Sequence, residues 1–488
     1  MNAAASTFRE RLLGHAARHP DAPALVTPSA SVSYGALPGA VRALALELRE
    51  RGAARVGLVA LTARAEIDHV LAMLALMELA VPQVGLASRD PAEMRARLAR
   101  RVGASAVLAD RPADAVGGLD WIDLGAALAS SRARPGGASL PEADPAAAAL
   151  YFTGSGTTGE PKVLRYSQRQ LALHAENHVD FASERVLRPA HVEYNNSKRM
   201  RLYVLWQGGT CLLADGAPGS MRSLCESLRA TWLELSPIHG NDLLSACRAE
   251  GPLPAYTSVR VGGARVPIAL RRAIMAEASP RLHVSYGTTE TSIVALAGPA
   301  MHDELESVGP PVAGVDVDVV RADGSCAAPG EIGEIRLRAP GMANGYVGDA
   351  AATARHFRAG WFMPGDLASL DDRGLLFLHG RKDDMMIMNS INIFPAEIER
   401  TLESHPAVEA AAAFPLPSAI HGQIPVAAVE LREGHGCTPA ELVAYARRAL
   451  GVRAPRRVAV VASLPRNPQG KIVKRELAAR LTRREAES

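Results

Sequence analysis

The sequence predicts an α/β fold, and two observations carry the prediction. Short apolar strand candidates alternate with helix-period segments through the first three-quarters of the chain, which is the pattern of sheets built from parallel strands. From Val315 onward the pattern turns to β, and past Arg381–Asp384 it alternates again as a smaller α+β unit. In chain order, Met1–Leu13 has the charges (Arg9, Glu10, Arg11) of an amphipathic helix. Val56–Ala63 reads as a strand before the helix Ala65–Leu79, and Pro91–Val102 as a helix before the strand Ala106–Ala109. The most apolar stretch, Val70–Ala87, is broken by Glu78 and Pro82, so it reads as a buried helix and strand, not a membrane span. Arg132–Asp144, with Pro135, Gly136, Gly137 and Pro141, reads as a loop ahead of the apolar strand Ala146–Phe152. Pro267–Ala278 starts with proline, as helices tolerate, and His283–Ser285 is strand-like. Asp323-Gly324 and Pro329-Gly330 mark turns within Val315–Leu337, and Asp371–Gly374 joins Leu367–Leu370 to Leu375–Leu378 as a hairpin.

Bulk properties exclude several classes. A chain of 488 residues is too long for one ordinary core. With 48% hydrophobic and 22% charged residues it has the balance of a soluble globular protein. A formal charge of +3 gives no argument for nucleic acid or an anionic membrane. Five scattered cysteines without Cys-x-x-Cys spacing suit a reducing cytoplasm, and neither zinc nor a disulfide frame. The start lacks an apolar run followed by a small-residue cleavage site, so secretion is not expected.

The most informative stretch is Thr153–Lys162, Thr-Gly-Ser-Gly-Thr-Thr-Gly-Glu-Pro-Lys. Glycines interleaved with hydroxyls let successive N–H and O–H groups converge on one anion, and Lys162 adds a mobile positive charge for the outer phosphates. It is not the common P-loop: no Gly-Lys-Ser/Thr closes it, and Pro161 interferes with a helix starting there. Four further motifs follow: Ser285–Glu290 (Ser-Tyr-Gly-Thr-Thr-Glu), Gly360–Asp366 (Gly-Trp-Phe-Met-Pro-Gly-Asp), Gly380–Asp384 (Gly-Arg-Lys-Asp-Asp) and Pro465–Lys471 (Pro-Arg-Asn-Pro-Gln-Gly-Lys). In this order the five motifs resemble those of the adenylate-forming superfamily: acyl- and aryl-CoA synthetases, luciferases and peptide-synthetase adenylation domains. The resemblance spans nearly the whole chain.

That resemblance implies a large N-terminal domain of parallel and mixed sheets flanked by helices, with a small β-barrel-like subdomain, and a small mobile α+β C-terminal domain. The boundary falls at 382/383, with Asp383 as hinge. It implies ATP-dependent activation of a carboxylic acid to an acyl-adenylate with release of pyrophosphate, then transfer to a thiol. Ser155, Gly156, Thr157, Thr158, Gly159 and Lys162 would hold the departing phosphates; Gly154 stands where relatives usually keep threonine. Gly263 and Ala264 would allow close approach of adenine and acyl group, Tyr286 would stack on adenine, and Gly287 and Thr288 complete that segment. Thr289 would reach the α-phosphate and Glu290 would hold Mg²⁺, an ion that takes one or two carboxylates plus phosphate oxygens. Asp366 and Arg381 would bind the ribose. Lys471 would bridge carboxylate and phosphates as adenylation lysine, an electrostatic role. Because these residues flank Asp383, the small domain has to close over the large one.

For the acid, the pocket segment is His191–Gly209 with Ser236-Pro237 and Ala264. Asn195 and Ser197 stand where amino-acid-activating domains place an aspartate and its neighbour. Asn cannot neutralise an ammonium, which disfavours an α-amino acid, and His191 matches the histidine of CoA ligases poorly in spacing. The expected substrate is a small organic acid, aliphatic or aromatic. The acceptor is CoA or the phosphopantetheine of a separate carrier protein, with Ser390 where many relatives line the pantetheine tunnel with glycine. The alternatives are a stand-alone amino-acid adenylation enzyme loading a peptidyl carrier, and a catalytically degenerate nucleotide-binding module.

Overall fold

The structure is a computed structural model that describes residues 6–114, 116–133, 140, 142–154, 162–302, 306–388, 391–418, 422–467 and 472–486. One sheet runs Asp120–Asp123, Ala106–Ala109, Val59–Thr62, Gln83–Gly85, Ala148–Gly154 and Lys162–Ser167, parallel until the last strand turns back. Val59–Thr62 and Ala106–Ala109 are buried at every position, as central strands covered on both faces must be. A second sheet runs Ser292–Ala297, Leu282–Thr288, Ser258–Gly262, Trp232–Leu235, Arg185–Leu187, Thr210–Leu212, Pro23–Val26 and Ser31–Ser33. Its interior pairs are parallel and its two edge pairs antiparallel.

The apolar stretch resolves into the helix Glu66–Glu78 and the strand Gln83–Gly85. The helix is apolar nearly all round because it lies inside the core; its terminal Glu78 is met by Arg42 at 3.1 Å and Arg9 at 3.5 Å. The first helix among the described residues is Phe8–Arg18: Thr7 caps it, exchanging bonds with Glu10 in a capping box. Pro267 precedes a short helix, Ile268–Ala273, whose last turn widens into a π-helix, Ile274–Ala278. The helix Leu124–Arg132 ends where the loop Arg132–Asp144 was expected.

A third, antiparallel sheet takes the place of the expected β-barrel-like part. Its order is Phe357–Arg358, Trp361–Phe362, Gly333–Arg338, Asp366–Leu370 and Leu376–Arg381, with Asp316–Val320 also on Gly333–Arg338. From Met386 on, the strands Met386–Met388, Ile391–Ile393, Val408–Ser418, Gly422–Leu431 and Arg457–Val461 form a fourth sheet. With the helices Pro395–Glu403, Pro439–Leu450 and Lys474–Ala486 it encloses its own apolar clusters. No helix among the described residues is long and apolar enough to cross a membrane.

Candidate active site

The site gathers where strands of the second and third sheets end. Leu282–Thr288 turns back into Ser292–Ala297, and the turn carries Thr289 and Glu290. Three side chains from elsewhere hold that turn. Tyr166 donates its hydroxyl to the Thr289 carbonyl at 2.7 Å, and Arg199 donates Nη1 to the same oxygen at 2.9 Å. Tyr346 donates to Glu290 Oε1 at 2.8 Å, fixing one oxygen of the expected metal ligand. Gly287 must lack a side chain, since a Cβ there would meet the Ser292 carbonyl oxygen at 2.4 Å.

The pair expected at the ribose, Asp366 and Arg381, is brought together by hairpin register. Asp366 stands directly opposite Arg381, and Arg381 Nη1 binds Asp366 Oδ1 at 3.1 Å and the Pro364 carbonyl at 2.6 Å. Tyr286 donates its hydroxyl to Asp366 Oδ2 at 2.5 Å, which joins two motifs eighty residues apart. Burial and the neighbouring Asp366 hold the Tyr286 phenol well above its ordinary range. Burial opposes the charge on Arg381, but Asp366 outweighs it and raises the guanidinium pKa.

Ser155, Gly156, Thr157, Thr158 and Gly159 lie outside the described residues, as do Ser390 and Lys471. The strands that flank the phosphate loop pair Gly154 with Lys162. Lys162 Nζ is 3.0 Å from His356 Nε2 and 4.7 Å from the centre of the Tyr346 ring. Burial lowers its pKa, while the nearby Glu290 carboxylate works the other way. Lys162, Tyr346 and Glu290 thus form one cluster.

The expected pocket residues are placed less uniformly. Asn195 opens the helix Asn195–Gln207 and donates Nδ2 to the Thr153 carbonyl at 2.9 Å, bracing the strand that feeds the phosphate loop. Ser197 is buried; its hydroxyl bonds the Ala190 carbonyl and accepts from Arg201 Nη1 at 3.0 Å, so it is spent inside the fold. Ser236 Oγ is 3.0 Å from His239 Nδ1. His191 contacts the Arg64 carbonyl at 2.9 Å. Gly263, at φ 86°, and Ala264 follow the end of the strand Ser258–Gly262. Asp383 sits in the single turn Lys382–Asp384, 3.7 Å from Arg381 Nη2.

Tyr166, Arg199, Tyr346 and His356 did not stand out in the sequence. Only Tyr346 carried a signal there, an aromatic residue set among Gly345 and Gly348 before Asp349.

The AMP-binding enzyme family matches residues 12–347, and the AMP-binding enzyme C-terminal domain matches residues 397–471. The chain belongs to the AMP-binding enzymes. This AMP-binding enzyme is 32% identical to a feruloyl-CoA synthase of Amycolatopsis sp over 68% of its own length and 69% of the relative's. It is 36% identical to the 2-succinylbenzoate–CoA ligase of Geobacillus kaustophilus over 46% of each chain. The amide bond synthetase McbA from Marinactinospora thermotolerans superposes with a TM-score of 0.83 at 26% identity, covering 97% of this chain and 99% of that one. ATP-bound MatB from Rhodopseudomonas palustris shares the fold at TM-score 0.86 and 23% identity, covering 98% and 99%. The expected α/β architecture is borne out, and the AMP-binding enzyme described here is an AMP-forming acid–thiol ligase. The amino-acid adenylation and degenerate-module alternatives are not favoured.

Proposed function

We propose that the acid is a small aliphatic or aromatic carboxylic acid and that the residues act as follows. The phosphate loop with Lys162 draws the β and γ phosphates away, Thr289 meets the α-phosphate, and Asp366 with Arg381 holds the ribose. Tyr286 is then free to exchange its bond to Asp366 for adenine stacking. The acid carboxylate attacks the α-phosphorus, the bond to pyrophosphate breaks, and Lys471 bridges the two anions as they approach. The observation that carries this reading is the convergence of Lys162, Tyr346 and Glu290 beside Thr289. Among the described residues no group of three His, Cys, Asp or Glu side chains is placed to hold a metal. Glu290 fits Mg²⁺ as a lone carboxylate whose remaining ligands are phosphate oxygens and water; bound there, the ion would neutralise phosphate charge.

The unit 1–382 carries nucleotide and acid, and the unit 383–488 turns about Asp383 to present Ser390 and its neighbours to a thiol. CoA is the acceptor that the named ligases suggest; a carrier-bound phosphopantetheine offers the same thiol. Ser390 and the likeness to an amide bond synthetase add an amine as a further acyl acceptor beside the thiol. Pyrophosphate release over an acid panel, followed by mass spectrometry of products with CoA, a loaded carrier or amines, tests all of this. A folded, ATP-binding protein that activates no acid would sink the reading.

A further inference from the structure

A row of charge runs beneath the acyl end of the site. Leu187 stands beside Leu233, Glu234 beside Arg260, and Arg260 beside His283. Arg188, Glu234, Arg260 and His283 therefore form one row across four parallel strands, while their neighbours Leu233, Val259 and Leu282 point to the opposite face, into an apolar core. Two residues further along the same face come Ser236, Gly262 and Ser285, because side chains two apart share a face. A Cβ on Gly262 would fall 2.4 Å from Ser285 Oγ, so this position must be glycine for the Ser285 side chain to pack beside it. Ser236 and Ala264 are pocket positions expected from the sequence, and the charged row is the layer next to Ser236 and Gly262 on that face.

The carboxylate of this row is already committed. Arg260 holds Glu234 Oε2 through Nε at 2.8 Å and Nη2 at 2.6 Å, and Trp232 Nε1 bonds the other oxygen. Arg188 comes no closer to Glu234 than 3.8 Å, and its buried Nε has no hydrogen-bond partner among the described residues. The other charges acting on it are guanidiniums, Arg201, Arg260 and Arg199, of which Arg201 has its own carboxylate in Glu66 at 3.1 Å. Burial draws the Arg188 pKa down to about 10, which leaves it charged at neutral pH. His239, bonded to Ser236, lies in the same field, and burial and Arg188 keep its pKa low. A largely buried guanidinium with an unmet donor is costly until an anion arrives. The Arg188 side chain keeps 12% of its surface accessible.

We propose that the acid carries a second anionic group, a carboxylate or sulfonate remote from the reacting carboxylate, and that Arg188 receives it. Arg199, bonded to the Thr289 carbonyl, stands at the reacting end, so each end of the substrate meets its own cation. The proposal rests on the adenylation reading above.

Matched acids test it: glutarate against valerate, terephthalate against 4-methylbenzoate, sulfoacetate against propionate. Acid-dependent pyrophosphate release by the wild type should favour the doubly charged member of at least one pair by on the order of 10²-fold in kcat/KM. Arg188→Met should erase that preference and leave the KM for ATP unchanged, and Arg188→Lys should keep part of it. The preferred diacid should also raise the melting temperature of the wild type without ATP, and not that of Arg188→Met. Should Arg188→Met fail to fold, the wild-type panel and melting shift decide. Uncharged members working as well as their partners, or a preference that survives Arg188→Met, overturns the proposal alone. Activity with no acid at all, in folded and ATP-binding protein, overturns the adenylation reading and this proposal with it.

Discussion

Arg400 donates Nε to Glu306 Oε2 at 2.8 Å, and the bond ties the helix Pro395–Glu403 to the larger part of the enzyme. Arg265 completes the latch, binding Glu306 at 2.7 Å and Glu403 at 2.6 Å. Burial would raise the Glu306 pKa, but Arg265 and Arg400 together hold it below the ordinary carboxylate range. If the C-terminal unit turns between half-reactions, these bonds break in every cycle. Charge-assisted bonds contribute about 1.5–3 kcal/mol each, so Glu306→Gln should shift the balance of orientations by on the order of 10-fold. Distance measurements between dye pairs on the two units should report that shift. An unchanged distance distribution removes the latch.

Tyr346→Phe deletes the donor that fixes Glu290 Oε1 and leaves the ring under Lys162. The expected result is a fall of about 10-fold in kcat/KM for MgATP, the cost of one bond to a charged group. Excess Mg²⁺ should recover part of it, because the lost contact positions a metal ligand. A defect indifferent to Mg²⁺ argues against that role for Glu290.

Much of this site was legible because its motifs are local. Asp366 and Arg381 sit at the two ends of a hairpin announced by Asp371–Gly374, so sequence spacing alone made them neighbours. Tyr166, Arg199 and Tyr346 were not legible, since each reaches the Thr289–Glu290 turn from a distant element and a lone Tyr or Arg has no spacing to betray it. Asn195 and Ser197 were picked out by counting, but the partners they take, Thr153 for one and Ala190 for the other, had no signal in the sequence. The start of the helix Phe8–Arg18 has a local cause, the capping box at Thr7.

Partly buried histidines should make the fold acid-sensitive. Burial lowers the pKa of His283 and of His379 to about 4, and holds His178 well below its ordinary value. In the unfolded chain the same rings titrate near ~6.5. Between these values the unfolded state takes up protons that the folded state refuses, so the contribution of these histidines to stability falls as pH drops from ~6.5 toward ~4 and is constant above. Urea midpoints at stepped pH should show the decline. His379→Gln should flatten part of it, and an identical slope would exclude that residue.

Lys471→Ala should cut acyl-adenylate formation by on the order of 10²-fold or more, the scale of one lost electrostatic transition-state contact. Thioester formation from supplied acyl-adenylate should stay near normal. Equal loss in both half-reactions would contradict a lysine used only in the first.

Asp383→Pro should give the opposite pattern. Asp383 lies in one turn between the strands Leu376–Arg381 and Met386–Met388, with its side chain 69% exposed and, among the described residues, a long contact to Arg381. Little packing is lost on replacing it, so any effect must come from the backbone. Proline fixes φ near −65° and removes an N–H, which restricts the few dihedrals a rigid-body rotation would use. The orientation favoured with ATP bound should survive, so acyl-adenylate should form at much of the normal rate while thioester formation fails. Single-turnover measurement of both products on one preparation separates this from a mere linker defect, which would slow the two steps together and modestly. A normal thioester yield from Asp383→Pro would remove the hinge from this position.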